Sequence, residues 1–338
     1  MQILFCDVDD ITKDYLKAHP APQGVEYVIF EKSLNDMNDE ELGKYYDTVD
    51  VISTFVYSRL TGDLLSKFKK LKMISTRSTG YNNVDLDYCR ANGIKVANVV
   101  GYGEITVAEF AVGSLLNLTR KIEHSHKKLE RGCVDVDDDM GVDLFGKTVG
   151  VIGTGAIGRH FARLVKAFGC RVLAYDLYPN QALADEGVVE YTDLDRIFKE
   201  ADFISLHCPA TKENHHMINA DALSKMKDGV FIVNTARGDL IDTLALYNAV
   251  KSGKVAGVAL DALEYEDIII KNNVEVANEK DKEFVLYSLV NQKILQLENV
   301  VITPHIGFNS IEAIHRILDS SMKSVMDFSE GKEIRSVA

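Results

Sequence analysis

The run Lys147-Thr-Val-Gly-Val-Ile152 opens straight into Gly153-Thr-Gly155-Ala-Ile-Gly158, and a helical pattern, Arg159–Phe168, follows at once. A second apolar run, Arg171–Tyr175, ends on Asp176, 18 residues past Gly158. Glycine-rich turns are common, so the three glycines alone say little. In the order strand, glycines, helix, strand, acid they specify a dinucleotide-binding βαβ unit. Gly153 permits the tight turn, Gly155 lets the backbone approach a pyrophosphate, and Gly158 lets the helix pack closely on the strand. The helix N-terminus then presents free N–H groups and a positive dipole end to the phosphates. Asp176 accepts hydrogen bonds from ribose hydroxyls and repels a 2′-phosphate, and the adjacent Leu177-Tyr178 supplies no arginine to offset that. The expected cofactor is NAD rather than NADP.

The same βα rhythm runs along the chain. Before the glycine loop, strands are expected at Gln2–Cys6, Val25–Phe30, Val49–Thr54, Lys72–Ser75 and Lys95–Ala97, with helices between them. Thr61 and Asp85 stand at helix N-cap positions. After the loop, strands follow at Phe203–Leu206, Val230–Asn234, Val255–Ala259 and Val300–Thr303, and a last helix covers about Ser310 to Phe328. A single long helix is expected over about Glu104–Arg131, apolar in its first half. The fold class is α/β: two doubly wound parallel-sheet domains. The division places 1–100 plus 300–338 in one domain and 101–299, the nucleotide-binding half, in the other.

The 338 residues carry a net charge of −13, which disfavours nucleic acid and anionic membranes as partners. An anionic substrate must therefore find local cations, so arginines in the motifs carry weight. The five cysteines are scattered, without metal-ligand or paired spacing, and read as reduced thiols. No apolar run approaches the ~20 residues of a membrane span, and the N-terminus lacks a basic leader. A soluble, cytoplasmic protein is expected. The acidic loop Asp135-x-Asp137-x-Asp139 has Met140 and Gly146 where a calcium loop wants Gly and Glu, so no metal is assigned there. None is assigned to the adjacent His215 and His216 either.

Three residues past the glycine loop stand at predicted carboxyl ends of strands, where open α/β sheets bind ligands. They are Arg237 in Val233-Asn-Thr-Ala-Arg-Gly-Asp239, Glu266 in Ala259-Leu-Asp-Ala-Leu-Glu-Tyr-Glu266, and His305 in Thr303-Pro-His-Ile-Gly307. With Thr76-Arg-Ser-Thr-Gly-Tyr-Asn-Asn-Val-Asp85, Thr106-Val-Ala-Glu109 and His207-Cys-Pro209, these segments resemble the D-2-hydroxyacid dehydrogenase family. The long stretch between Glu266 and His305 resembles its D-lactate dehydrogenase branch in particular.

The resemblance implies a flavodoxin-like substrate domain, a Rossmann NAD-binding domain, hinge closure and a homodimer, its contact expected on the Glu104–Arg131 helix. It implies that His305 gives a proton to the substrate oxygen during 2-ketoacid reduction and takes it back in oxidation. Glu266 would pair with His305 and raise its pKa, with Glu264 two residues away as the competing candidate. Arg237 would grip the substrate carboxylate and carbonyl in a two-pronged way that lysine performs poorly. By the same resemblance, Ser78, Thr79 and Gly80 offer backbone N–H groups to the carboxylate, and Tyr57 and Tyr102 line the pocket. Ala156 and Ile157 would face the pyrophosphate, Cys208 and Pro209 would flank the adenine ribose, and Asn214 would lie nearby. Thr235 and Ala236 would approach the nicotinamide ribose, and Asp261 its carboxamide.

Two departures bear on the substrate. Phe308 stands where the lactate branch often has tyrosine, and Tyr102-Gly-Glu104 replaces the commoner Tyr-Ser-Pro. Pyruvate is the first expectation, with a larger 2-ketoacid as the alternative. An NAD-sensing co-repressor is the rival from a different class of function.

Overall fold

The computed structural model describes residues 1–265 and 280–338. The chain forms two compact units, Met1–Tyr102 with Ser310–Ala338, and Gly103–Asn309.

The first unit is built on five parallel strands: β1 (Gln2–Phe5), β2 (Glu26–Ile29), β3 (Val51–Thr54), β4 (Met73–Thr76) and β5 (Lys95–Ala97). Their order is β2-β1-β3-β4-β5, the flavodoxin-like arrangement, with its switch point between β1 and β3. β3 and β4 are buried at every position, as strands covered on both faces must be. Thr61 and Asp85 do cap helices, accepting from the N–H groups of Leu64 and Tyr88. The last helix, Ile311–Ser329, buries Ala313, Ile317, Leu318, Ser321, Met322 and Val325, a stripe of helical period. Its Ser321 hydroxyl meets Ser75 of β4 at 2.9 Å.

The second unit carries seven parallel strands: β6 (Thr148–Ile152), β7 (Arg171–Tyr175), β8 (Glu190–Tyr191), β9 (Phe203–Leu206), β10 (Val230–Asn234), β11 (Val255–Leu260) and β12 (Val300–Ile302). The order β12-β11-β10-β9-β6-β7-β8 has its switch point between β6 and β9. β12 pairs with β11 through Val258–Val300, Ala259–Val301 and Leu260–Ile302, so residues 300–309 belong to this unit. The chain returns to the first unit at Ser310, not at 300.

The long helix expected over Glu104–Arg131 is two helices, Glu104–Thr119 and Ile122–Glu130, broken where Lys121 takes φ 51°. The break is fixed by one bond from the returning chain and by two across the break itself. Val142 N–H donates to Thr119 O, and the Asn117 side chain accepts from Glu123 N–H while its amide donates to the Glu123 carboxylate. The apolar side of the first helix is spent inside the unit. Ala108, Ala111, Val112 and Leu115 join Phe161, Ala162 and Val165 in one core cluster.

Candidate active site

The turn after β6 puts three glycines under three different demands. Gly153 sits at φ +93°, and a Cβ there would lie 2.7 Å from the backbone of His207 and Cys208. A Cβ on Gly158 would stand 1.9 Å from the carbonyl oxygen of Gly153. Gly155, which caps the helix Ala156–Ala167, has open space where a Cβ would project. The first and third glycines close the turn, and the middle one leaves the helix N-terminus approachable, with Ala156 and Ile157 half-buried behind it.

Asp176, at the end of β7, is held against this turn. Its Oδ2 accepts from Thr154 N–H at 2.6 Å and from the Thr154 hydroxyl at 3.0 Å, and its Oδ1 from Tyr178 N–H at 2.8 Å. The Tyr191 hydroxyl donates to Thr154 Oγ1 at 2.9 Å and accepts from Asn180 N–H. Leu177 and Tyr178 are exposed and bring no cation. Sequence reasoning missed Thr154 and Tyr191, because the hydrogen bonds that aim Asp176 come from three separate segments.

The ends of β9 and β10 supply the other wall. Burial pushes the Cys208 thiol up to about 11, so it is a neutral apolar surface. The Asn214 carbonyl accepts from Thr211 N–H at 2.7 Å and its amide donates to Pro209 O at 2.8 Å, which fixes the loop following Cys208 and Pro209. At these strand ends Thr235 Oγ1 and His207 Nδ1 are buried polar atoms without a hydrogen-bond partner among the described residues. Burial holds His207 down at about 3, hence neutral, and its Nε2 meets Ser205 Oγ at 2.8 Å. An open helix N-terminus, an anchored carboxylate and orphaned polar atoms on neighbouring strand ends fit a dinucleotide.

Arg237, Asp261 and His305 follow the carboxyl ends of three consecutive neighbours in the sheet, β10, β11 and β12. Arg237 is exposed, with one guanidinium nitrogen donating to Ala236 O at 2.7 Å. The Asn234 side chain pins this turn, accepting from Ala236 N–H and donating to Arg237 O. His305 sits in a left-handed conformation, φ 55°, which a non-glycine residue keeps only when its surroundings impose it. Asp261 imposes it. Its Oδ1 accepts from the Thr303 hydroxyl at 2.6 Å and from Ile306 N–H at 2.9 Å, and its Oδ2 from Gly307 N–H at 2.8 Å. Burial raises the Asp261 pKa, while those three donors and the His305 charge pull it back. Asp261 therefore braces the His305 loop from both sides. The carboxamide contact expected of it must share oxygens already taken.

Glu266 lies outside the described residues. Glu264, its competitor, is buried and committed. Its Oε2 accepts from Thr243 N–H at 3.1 Å and from the Thr243 hydroxyl at 2.7 Å, and its Oε1 meets His216 Nε2 at 2.6 Å.

In the first unit, the residues expected on the substrate side follow β3, β4 and β5. Arg77 is buried, and its guanidinium donates to Ser53 O, Ser53 Oγ, Cys6 O and Asp7 O at 2.6–3.1 Å. The Asp7 carboxylate accepts from Thr54 Oγ1, Phe55 N–H, Ser58 N–H and Ser58 Oγ. Together they set the loop that carries Tyr57, which is 70% exposed. Ser78 Oγ donates to Gly80 O at 2.6 Å and Thr79 Oγ1 to Val99 O at 2.9 Å, so this turn is rigid. Tyr102 is partly buried, and its carbonyl accepts from Arg316 Nε at 2.7 Å. Phe308, in the second unit, has its Cβ 3.8 Å from the Cβ position of Gly103.

Residues 112–307 match the family model of the D-isomer specific 2-hydroxyacid dehydrogenase, NAD binding domain. An aromatic 2-oxoacid reductase of Clostridium sporogenes is 40% identical over 86% of this chain and 85% of its own length. A D-lactate dehydrogenase of Lactiplantibacillus plantarum is 40% identical over 94% of this chain and 91% of its own. The solved D-lactate dehydrogenase of Aquifex aeolicus, complexed with NAD and lactic acid, superposes with a TM-score of 0.79 at 37% identity, covering 97% of this chain and 96% of that one. The chain belongs to the D-isomer-specific 2-hydroxyacid dehydrogenases and is an NAD-dependent oxidoreductase acting on the CH–OH group of 2-hydroxy acids.

Proposed function

We propose that this enzyme reduces pyruvate to D-lactate, with His305 as the proton donor to the substrate oxygen and the acceptor in reverse. The observation that supports this most is the Asp261 brace: from the end of β11, the strand between the one that leads to Arg237 and the one that leads to His305, Asp261 holds the His305 loop. Arg237 grips the carboxylate and carbonyl of the 2-oxoacid, its planar fork matching both. Glu266 pairs with His305 and favours its charged form. Bound NADH supplies the hydride. The turn at Ser78, Thr79 and Gly80 binds the substrate carboxylate through backbone N–H groups, and Tyr57, Tyr102 and Phe308 contact the rest of the substrate.

For the cofactor, Gly153, Gly155, Ala156, Ile157 and Gly158 form the pyrophosphate turn, and Asp176 holds the adenosine ribose. Cys208, Pro209 and Asn214 shape the adenine side, while Thr235, Ala236 and Asp261 serve the nicotinamide side. Thr235 Oγ1, orphaned in the described structure, gains a partner there.

The second reading is a larger 2-oxoacid. Phe308 offers a hydrophobic face without a hydroxyl, and the aromatic 2-oxoacid reductase is as similar as the lactate enzyme, at 40% identity each. NADH oxidation with pyruvate, 2-ketoisocaproate, phenylpyruvate and glyoxylate, compared as kcat/KM, decides between them. Pyruvate leading, with D-lactate but not L-lactate oxidised in reverse, establishes the first reading, and a bulkier acid leading establishes the second. His305→Gln should abolish turnover and leave NADH affinity nearly intact. Collapse of NADH binding in that variant would instead make His305 structural. A homodimer completes the proposal, with Ile122, Leu129, Val134, Val136 and Phe145 as exposed apolar contacts. Monomeric mass in light scattering at all concentrations would remove it.

A further inference from the structure

The geometry points to a second site in the nucleotide-binding unit: His215, His216 and Glu264 form a binding site for a divalent cation of the Zn²⁺ class. Their ligand atoms all lie within 4.8 Å of one another. The site is distinct from the residues proposed for catalysis and stands whatever the preferred 2-oxoacid is.

Each ligand is held by contacts of its own. Glu264 is buried, and the Thr243 N–H and hydroxyl occupy its Oε2, which leaves Oε1 aimed at His216. Asn291 fixes the Glu264 backbone by donating to its carbonyl at 2.8 Å. Such outer partners are what orient a ligating carboxylate. His216 is locked in a left-handed conformation, φ 52°, while its N–H donates to Asp239 O at 2.8 Å and Met217 N–H donates to Asn214 O. A non-glycine residue kept there marks a position where the side-chain direction is imposed. A simple His216–Glu264 ion pair would need no third group. Yet the His215 ring lies stacked on His216, with centroids 3.9 Å apart and planes at 28°, and it is exposed, so solvent ions reach it.

Two imidazoles and a carboxylate form a borderline donor set suited to Zn²⁺, with water as the fourth ligand. The 2.6 Å approach of His216 Nε2 to Glu264 Oε1 must open as the cation takes the place of the shared proton. For two bonds of ~2.0 Å at a tetrahedral angle the separation becomes about 3.3 Å. That is a small ring movement. The bound ion then ties the loop after β9 to the turn after β11, stapling two strand ends of one sheet.

The test is Co²⁺ titration of the purified full-length chain, followed by visible absorption, with Zn²⁺ displacement and thermal melting. A stoichiometric tetrahedral Co²⁺ spectrum, removed by Zn²⁺, is expected, with a Zn²⁺-dependent rise in Tm because the ion binds only the folded chain. His215 is exposed, so His215→Asn should fold normally and weaken Zn²⁺ binding by more than the ten- to hundredfold that even outer-partner changes cost. Thr243→Val should weaken it by about ten- to a hundredfold. His126→Asn and Cys133→Ser, which remove an exposed imidazole and an exposed thiol elsewhere in the unit, should leave it unchanged. A six-coordinate spectrum, or equal Zn²⁺ affinity in wild type and His215→Asn, overturns the assignment.

Discussion

Asp261→Asn isolates what the brace on the His305 loop contributes. The carboxylate takes three donors, the Thr303 hydroxyl, Ile306 N–H and Gly307 N–H, at 2.6, 2.9 and 2.8 Å. Asparagine keeps one acceptor oxygen and presents an amide where the second oxygen was, so one donor, Gly307 N–H, faces another donor. Hydrogen bonds to a charged group contribute about 1.5–3 kcal/mol and neutral ones about 0.5–1.5 kcal/mol. Losing one charged bond and weakening two therefore costs roughly 3.5–6 kcal/mol gross. Burial of the charge is the largest influence on Asp261, and asparagine escapes that penalty, so a net loss of about 2–3 kcal/mol is reasonable. If the loss falls on loop order, the competent arrangement becomes rarer by about 30- to 160-fold at 1.36 kcal/mol per decade. The expected result is a fall of that size in kcat/KM for the 2-oxoacid, carried mainly by kcat. NADH Kd, read from fluorescence titration, should change by less than about threefold, the equivalent of ~0.6 kcal/mol. Turnover within a few-fold of wild type would show that the loop holds without Asp261. A loss confined to NADH affinity would show instead that the nicotinamide contact is the whole of Asp261's role and that the brace is incidental.

Three further outcomes follow from the same contacts. Asp176→Ala should raise KM for NADH by about ten- to a hundredfold, the worth of a hydrogen bond to a charged group, and shift the NADPH/NADH ratio of kcat/KM at least tenfold towards NADPH. An unchanged ratio would mean that Asp176 does not meet the ribose. Phe308→Tyr should raise the ratio of kcat/KM for pyruvate over phenylpyruvate, and a ratio that stays put removes Phe308 from the pocket. His207, held at about 3 against an ordinary ~6.5, binds its proton only in the unfolded chain between those values. Its contribution to stability is thus complete above about pH 6.5 and is lost as pH falls towards 3, by up to tenfold in the folded-to-unfolded ratio per pH unit. His207→Gln should flatten the acid limb of Tm against pH, and an identical limb in both proteins would refute the burial argument.

What could be read along the chain divides by the range of the interactions that decide it. The βα order and the glycines of the 153–158 turn are marked by patterns a few residues long, although the fold adds the close approach of His207 and Cys208 to Gly153. Gly153 needs its positive φ whatever lies across from it. The helix break at Lys121 carries no glycine or proline to mark it: the Asn117–Glu123 bonds are local but have no sequence signature, and the bond to Thr119 O comes from Val142, on the returning chain. A run of apolar helix formers therefore looks continuous until the returning chain is in place. The two-residue strand β8 is likewise too short for any periodicity to mark.

The site shows the same division at Glu264 and Glu266, where only the spacing from Arg237 in the resembling family favours Glu266. Both carboxylates follow one strand end, two residues apart in the sequence, and nothing in the residues between them tells the two apart. What separates them is Thr243, 21 residues back, and His216, 48 residues back, which draw Glu264 inward and use both of its oxygens. A carboxylate so engaged cannot turn towards His305 without leaving Thr243 N–H unsatisfied in the core, at about 1–3 kcal/mol. Arg77 obeys the same logic in the first unit. Its sequence motif marks it as unusual, but only the fold reveals that its guanidinium ties the carbonyls at the ends of β1 and β3 beneath the Tyr57 loop. The residues proposed to touch substrate or cofactor are legible because their chemistry is distinctive. Those that aim them, Asp261, Thr154, Tyr191 and Arg77, are ordinary polar residues until distant segments meet them.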